Sequence, residues 1–88
     1  MKNFKLVISS PEGKIYDGNA ERLSVRGTEG ELAVMAGHIP FITIVKEGKC
    51  KIELENQKRK NFFISGGILS VSKEVVNLYS MNFSEERT

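Results

Sequence analysis

Residues 49–55, with the sequence KCKIELE, carry the clearest pattern in the chain, because Cys50, Ile52 and Leu54 alternate with lysines and glutamates. Successive side chains of a β-strand point to opposite faces of a sheet, so this stretch has one apolar face and one charged face. It therefore predicts a half-buried strand. Similar alternation, or a short apolar run, recurs on both sides of it, at residues 4–8, 23–25, 32–34, 41–45, 62–64, 68–71 and 75–79.

Turn-forming residues separate these segments and set the predicted strand ends. SSPEG follows the first segment at residues 9–13, and a short strand at Ile15 and Tyr16 is predicted to end at DGN, residues 17–19. The polar residues 56–60 predict a hairpin loop. Short strands at roughly eight- to twelve-residue intervals, without a sustained helical period before residue 80, favour an all-β sandwich or a flattened barrel.

The length of the chain predicts a single domain. A chain of 88 residues buries only about 60–65% of its unfolded surface, which leaves little core to enclose a deep active site. We assign residues 1–83 to the β-sandwich. At residues 84–88, Ser84 followed by Glu85 and Glu86 predicts the start of a helical segment, because serine caps a first turn and acids favour the positive end of the helix dipole.

The composition excludes several classes of function. With 40% hydrophobic and 27% charged residues, the sequence is typical of a soluble globular domain, and its net charge of +2 is too balanced to indicate nucleic-acid binding. The longest apolar stretch, residues 39–45, is far shorter than the roughly 20 residues of a membrane-spanning helix. Neither a spanning segment nor a secretory signal is predicted. Cys50, as the single cysteine, suits a reducing compartment such as the cytosol.

The sequence offers few residues for chemistry, and we predict no catalytic residue, metal site or cofactor. It holds one histidine, one cysteine and one aspartate, whereas a structural zinc site takes four ligands and a nucleophilic pair needs an orienting group. Cys50 lies on the apolar side of its strand and is predicted to be a core residue, and His38 a structural or interface residue. Gly66 and Gly67 lead into a strand rather than a helix, so they predict a bulge or a close strand crossing, not a phosphate loop.

The segment at residues 27–43 is the most distinctive part of the chain. It consists of an acidic loop flanked by glycines, a strand, a Gly-His turn and a strand that is apolar on both faces. Both faces of that last strand are hard to bury in so small a domain. For Met35, Ile39, Phe41 and Ile42 the pattern leaves two interpretations open, an exposed patch that contacts a partner protein or ordinary sandwich core.

Several short motifs in the right order resemble one known family. They are SPEG at residues 10–13, GEL at 30–32, GHIPFIT at 37–43, EG at 47–48 and SGGILSV at 65–71. The chain thereby resembles, over residues 4–79, the amino-terminal domain of the epsilon subunit of F-type ATP synthase, although Ala36 stands where family members often have proline. The resemblance implies a flattened β-sandwich of about ten short strands without a catalytic role. From the alternation over residues 4–79, the isolated chain is also expected to fold alone as a monomer.

The resemblance also implies two protein partners, the gamma subunit and the ring of c subunits. The domain would lie at the foot of the rotating central stalk, peripheral to the cytoplasmic face of the cell membrane, and couple proton or sodium translocation to ATP synthesis or hydrolysis. It would neither insert into the membrane nor bind nucleic acid. The residues implied to face gamma are Ser10, Gly37, His38, Ile39, Pro40, Phe41, Ile42 and Thr43. Those implied to face the c-ring are Thr28, Glu29, Gly30 and Glu31.

Two further expectations accompany the resemblance. The family's carboxy-terminal helical hairpin, which is inhibitory and in some members binds ATP, is expected to be missing after the helix start at Ser84, so neither property is carried over. The alternative function is a free-standing β-sandwich that binds a small ligand or a peptide, which requires a concave apolar pocket of roughly 300 Å³ or more. A pull-down with gamma distinguishes the two functions.

Overall fold

The computed structural model describes residues 3–85, which form ten β-strands and one short 3-10 turn at Glu55–Gln57. In chain order the strands are β1 (Phe4–Ser10), β2 (Gly13–Ala20), β3 (Arg22–Gly27), β4 (Gly30–Val34), β5 (Phe41–Val45), β6 (Gly48–Glu53), β7 (Arg59–Ile64), β8 (Gly67–Val71), β9 (Val76–Ser80) and β10 (Phe83–Glu85). The predicted all-β fold of about ten short strands is confirmed.

The strands form two five-stranded sheets that pack as a sandwich. Sheet A has the order β2-β1-β9-β8-β5, and sheet B has the order β10-β7-β6-β3-β4. Within residues 3–85, β1 and β9 run parallel with Leu6 opposite Val76, and every other strand pair is antiparallel. No helix in this part of the chain is long and apolar enough to span a membrane.

The hydrophobic core lies between the inner faces of the two sheets. In β6, Cys50 and Ile52 are fully buried while Lys49 and Lys51 are exposed, so the alternation of residues 49–55 predicted both faces of this strand correctly. Leu6 and Leu78 from sheet A belong to the same core cluster. Full burial of such side chains stabilises the fold by about 1.5–3 kcal/mol each, which is why a period of two in the sequence specifies which face points inward.

The structure differs from the predicted turn at residues 17–19. These residues lie inside β2, which continues to Ala20, and Asp17 is opposite Val7 of β1. Asp, Gly and Asn are uncommon in strands, but strand preference depends strongly on position, and β2 is an edge strand. A salt bridge of 3.2 Å from Lys5 of β1 to Asp17 compensates for the weak preference by joining the two strands.

The carboxy-terminal segment also differs from its prediction. Ser84 and Glu85 are extended in β10, where Ser84 is opposite Phe63 of β7, and they do not form the first turn of a helix. The aromatic ring of Phe83 packs edge-on against Phe62 with ring centroids 6.3 Å apart, which holds this segment on sheet B. Residues 86–88 of the predicted helical segment lie outside the described residues.

Candidate functional site

The outer face of sheet A carries a contiguous row of apolar side chains. On the edge strand β5, Phe41, Thr43 and Val45 point toward the core, so Ile42 and Ile44 point outward. The pairing registers place Ile44 opposite Ile68 of β8, and Ile68 opposite Tyr79 of β9. The exposed fractions of these outward residues are 75% for Ile42, 63% for Ile44, 51% for Ile68 and 48% for Tyr79.

Neighbouring large apolar side chains at such exposure are unusual on a monomer and typical of a surface that contacts another protein. The sequence predicted one of the four, Ile42, and missed the other three. The alternation of β8 and β9 contains the signal for two of them, because Leu69 and Leu78 are buried and their neighbours Ile68 and Tyr79 must therefore face outward. We call Ile42, Ile44, Ile68 and Tyr79 the apolar face.

A groove of about 380 Å³ continues the apolar face toward the end of the sheet. It is lined by Pro11, Gly67, Tyr79 and the exposed Met81, among others. The Ser80 hydroxyl donates a hydrogen bond of 2.5 Å to the Gly66 carbonyl oxygen and fixes the backbone at the base of the groove. Its apolar lining suits an apolar side chain of a partner.

The two glycines at this groove have a purely conformational role. Gly66 has a φ of +105°, which glycine adopts without strain. A Cβ atom at Gly67 would overlap the carbonyl oxygen of Tyr79, so the close approach of β8 to β9 requires glycine there. The predicted close strand crossing is confirmed, and Gly67 opens β8 rather than a helix.

The loop between β4 and β5 brings His38 to the surface at one end of the sandwich. Its backbone N–H donates to the Met35 carbonyl oxygen at 3.3 Å, and its Nδ1 atom lies 3.1 Å from the Ile39 carbonyl oxygen. The imidazole ring lies 5.1 Å from the Phe41 ring, measured between centroids. These contacts orient His38 as part of the loop. The loop borders a cleft of about 570 Å³ against the β8–β9 turn.

The predicted patch is exposed at three of its four residues. Met35, Ile39 and Ile42 are exposed, as a partner surface requires, whereas Phe41 is half-buried and packs against the core. The interpretation as a partner surface therefore fits three of these residues, and the interpretation as sandwich core fits Phe41. Alternation decides between them at Phe41 and Ile42, because adjacent residues of one strand face opposite sides.

The residues implied to face gamma do not form one patch in the structure. Residues 37–40 lie in the loop before β5, and Ile42 lies on the apolar face, but Thr43 is half-buried and faces inward. Ser10 ends β1, at the opposite end of sheet A from residues 37–40, because β1, β9 and β5 run in the same direction. The apolar face lies between these two groups.

The residues implied to face the c-ring form the turn between β3 and β4. Thr28 and Glu29 are the two turn residues, and Gly30 has a φ of +124°, which favours glycine. Glu29 and Glu31 are both exposed. Glu31, however, lies 3.9 Å from the Lys51 Nζ atom, so one of the two acids already has a cation nearby within the chain.

Cys50 is the single cysteine of the chain and lies on β6. Cys50 is fully buried in the core, and burial raises the pKa of its thiol to about 12, so the thiolate needed for nucleophilic attack or metal binding is not formed near neutral pH. Among residues 3–85, no group of three or more His, Cys, Asp and Glu side chains is arranged to hold a metal ion. The structure thus confirms the prediction that Cys50 is a core residue.

Comparisons with known proteins identify the fold. Residues 3–85 match the family described as ATP synthase, Delta/Epsilon chain, beta-sandwich domain. A chain in the cryo-EM structure of Euglena gracilis mitochondrial ATP synthase, OSCP/F1/c-ring in rotational state 1, is similar with a TM-score of 0.89 and 25% sequence identity. That match covers 94% of this chain and 53% of the other, so the chain spans about half the length of the Euglena protein.

A second solved structure shares the fold at lower identity. A chain in the cryo-EM structure of the central stalk and c-ring of Tetrahymena thermophila mitochondrial ATP synthase has a TM-score of 0.75 and 18% identity, over 93% of this chain and 66% of that one. At this identity the likeness shows the fold alone. Since the family match covers every described residue of the sandwich, the chain belongs to the delta/epsilon family of ATP synthase β-sandwich domains.

Proposed function

We propose that the chain is a non-catalytic subunit of the central stalk of an F-type ATP synthase, peripheral to the cytoplasmic face of the cell membrane. It contacts the gamma subunit and the c-ring, and it couples proton or sodium translocation to ATP synthesis or hydrolysis. The observation that carries the proposal is the apolar face on the outer side of sheet A. The family match and the likeness to chains of two mitochondrial ATP synthase assemblies support it.

The gamma subunit is the proposed partner of the apolar face. Ile42 and the loop at residues 37–40 meet gamma at one end of sheet A, and Ser10 meets it at the other, with Ile44, Ile68 and Tyr79 between them. Phe41 and Thr43 act indirectly, because they pack inward and hold β5 in place. Covering an exposed isoleucine stabilises a complex by about 2 kcal/mol, or roughly thirtyfold in the dissociation constant.

The turn between β3 and β4 is the proposed contact with the c-ring. Glu29 lies in the turn and is exposed, so its carboxylate can pair with a basic side chain of a c-subunit loop. Glu31 contributes less, since it lies near Lys51 of the same chain. Exposed ion pairs contribute about 0–1 kcal/mol each, so this contact aligns the domain on the ring, and the apolar face supplies most of the affinity for the rotor.

Coupling by this subunit is mechanical. Torque passes through the domain only if the domain does not deform, and a close-packed core between two hydrogen-bonded sheets deforms little. The surfaces for gamma and the c-ring belong to different sheets of the same sandwich, so force applied at the β3–β4 turn reaches the apolar face through the core. The chemistry of ATP synthesis takes place elsewhere in the complex.

Three substitutions to aspartate, one on each outer face of the sandwich and one in its core, test the gamma contact. Ile42→Asp should keep the fold and weaken binding to purified gamma by roughly thirtyfold or more, measured by calorimetry. Phe63→Asp is the control, because Phe63 is also an exposed apolar residue but lies on the outer face of sheet B, and this variant should bind gamma normally. Val45→Asp places a charge in the core and should unfold the domain in circular dichroism. Normal gamma binding by folded Ile42→Asp would refute the assignment.

Charge reversal in the β3–β4 turn tests the c-ring contact. In reconstituted enzyme, Glu29→Lys should lower the number of protons pumped per ATP hydrolysed, with a larger effect at low salt because exposed charges are screened. Glu12→Lys makes the same charge change in the exposed β1–β2 turn and should have no effect. If Glu29→Lys weakened gamma binding instead, the turn would belong to the gamma surface.

A further inference from the structure

The outer face of sheet B carries a cluster of cations that the proposed function does not use. On β6, Lys49 and Lys51 flank the buried Cys50 and are both exposed. Lys51 is opposite Ser24 of β3, so the two side chains lie on the same side of the sheet. Arg22 and Arg26 are each two residues from Ser24 and therefore lie on this outer side as well. The basic face, as we call it, consists of Arg22, Arg26, Lys49, Lys51 and Arg59.

Carboxylates on the basic face are fewer than cations. Within residues 3–85 the outward positions of sheet B hold two acids, Glu31 and Glu53. Glu31 lies 3.9 Å from Lys51, and Glu53 is opposite Arg22 on one side and Arg59 on the other. Among the described residues, five cations against two acids give the outer side of sheet B a surplus of positive charge. A concentration of one sign attracts a partner of the other sign.

An aromatic side chain lies within the basic face. Phe63 of β7 is 48% exposed, and the Lys49 Nζ atom lies 5.8 Å from the centre of its ring. Beside this pair, a shallow depression of about 440 Å³ is lined by Arg26, Lys49 and Lys51 together with one acid, Glu31. Exposed aromatic residues and arginines are enriched where proteins contact other proteins. The combination of charge and aromatic surface is that of a docking site rather than of a merely hydrated face.

The pattern of charges distinguishes among anionic partners. Glu31 and Glu53 lie among the cations, so a uniformly negative surface such as a nucleic-acid backbone or an anionic membrane would meet two repulsive positions. A polypeptide can place a neutral or basic residue against each of them. Lys49 and Lys51 are two residues apart on one strand, about 7 Å, which matches the spacing of alternate side chains in an extended segment.

From this arrangement we infer that the basic face docks an acidic polypeptide segment of a partner protein, with Phe63 covered by an apolar residue of that segment. The inference does not rest on the gamma contact, which lies on the other sheet, and it uses the cations of sheet B rather than the β3–β4 turn proposed to meet the c-ring. Charge attraction sets the orientation and the rate of association, and cover of the Phe63 ring adds the apolar contact. Binding should therefore be strongly salt-dependent.

A synthetic probe tests the inference on the full chain. The probe is a short fluorescent peptide in which glutamate alternates with serine, with one central leucine, and binding is followed by fluorescence anisotropy. The chain should bind it at low salt and release it as salt rises, and should not bind the same peptide with glutamine in place of glutamate. Single-stranded DNA and anionic vesicles serve as competitors, and tighter binding to either of them than to the peptide would overturn the assignment to a polypeptide.

Charge-reversed variants locate the site. Lys49→Glu with Lys51→Glu should weaken peptide binding by about tenfold or more, since two exposed pairs are replaced by repulsion. Lys58→Glu with Lys73→Glu makes the same change in net charge at exposed positions in loops and should bind nearly as well as the parent chain. If the variant with Lys49→Glu and Lys51→Glu failed to fold, the variant with Lys49→Gln and Lys51→Gln would replace it, and a smaller loss of peptide affinity is expected. Equal losses in the face and loop variants, or no peptide binding by the parent chain, would refute the docking site.

Discussion

At Asp17 a single carboxylate holds two lysines of sheet A. Its oxygens lie 3.0 Å from the Nζ atom of Lys14 on β2 and 3.2 Å from that of Lys5 on β1. Hydrogen bonds from the two lysines, with the larger effect from Lys14 and the smaller from Lys5, hold the pKa of Asp17 below its ordinary value. A carboxylate with a lowered pKa stabilises the folded state above its unfolded pKa, and that contribution is lost as the pH falls through the lowered folded pKa.

We expect Asp17→Asn to lower the midpoint of thermal unfolding slightly at pH 7, because exposed ion pairs contribute little each. The difference from the parent chain should shrink as the pH falls below the ordinary pKa of an aspartate, and it should vanish once the pH is below the lowered folded pKa and the parent Asp17 is protonated as well. Circular dichroism melts across this range measure the effect. Glu12→Gln, a change of the same charge in the β1–β2 turn, is the control. A deficit that persisted unchanged at low pH would show that Asp17 acts through packing and not through charge.

Single residues also show where sequence reasoning succeeds. Cys50 was predicted correctly because its strand has charged residues on the opposite face, so the inward direction was unambiguous. Phe41 and Ile42 were ambiguous because every position of the run at residues 41–45 except Thr43 is apolar. The pattern there does not indicate which face of the strand points toward the core. Only the packing of sheet A against sheet B decides between them: Phe41 packs against the core, and Ile42 faces solvent.

At the scale of elements, the approach of β8 to β9 depends on one missing side chain. Ala at Gly67 would overlap the Tyr79 carbonyl oxygen, and backbone, unlike a flexible side chain, yields little. Gly67→Ala should therefore destabilise the domain by about 3 kcal/mol, measured by urea denaturation. In Gly18→Ala the new methyl group would meet the Tyr16 side chain, with the hydroxyl nearest at 3.2 Å, and a side chain can move, so the loss should be smaller. Equal losses of stability in the two variants would indicate that alanine is costly at any strand glycine, and not that the close approach of β8 to β9 requires glycine at position 67.

The elements that were mispredicted share a cause. The DGN residues of β2 and the Ser-Glu pair of β10 carry local signals for a turn and a helix start, yet both segments are strands at the edges of sheets. Local preference is weak there, and tertiary contacts override it: the two lysines around Asp17 in one case, and the packing of Phe83 on Phe62 in the other. Sequence periodicity indicates which side chains are buried, and few side chains of these two segments are buried.

At the scale of the whole molecule, the sandwich has two outer faces of different chemistry, one apolar and one basic. Composition could not predict this, because a net charge of +2 and 40% hydrophobic residues describe averages over both faces. The assignment needs the pairing registers, which bring Ile44 of β5, Ile68 of β8 and Tyr79 of β9 side by side. The motifs that resemble the epsilon family indicated the correct fold but did not indicate this row.

We expect the isolated chain to fold as a monomer in one cooperative transition, because the core closes between two sheets of the same chain. Addition of a chelator should leave the thermal midpoint unchanged, since the fold is predicted not to depend on a metal. Calorimetry with and without EDTA measures this, and analytical ultracentrifugation reports the mass. A large drop in the midpoint would reveal a structural metal, and a concentration-dependent midpoint would reveal an oligomer.

The parallel pairing of β1 with β9 has a consequence for biosynthesis. Leu6 is opposite Val76, and the two residue numbers differ by 70. The first strand therefore cannot complete its sheet until a segment 70 residues later has left the ribosome. At roughly 5–20 residues translated per second, that interval lasts about 4–14 seconds. During it, β1 and β2 form at most an isolated hairpin, which is marginal in water. The nascent domain thus exposes the strand edge that β9 later covers, and this interval is when chaperones have the most surface to bind.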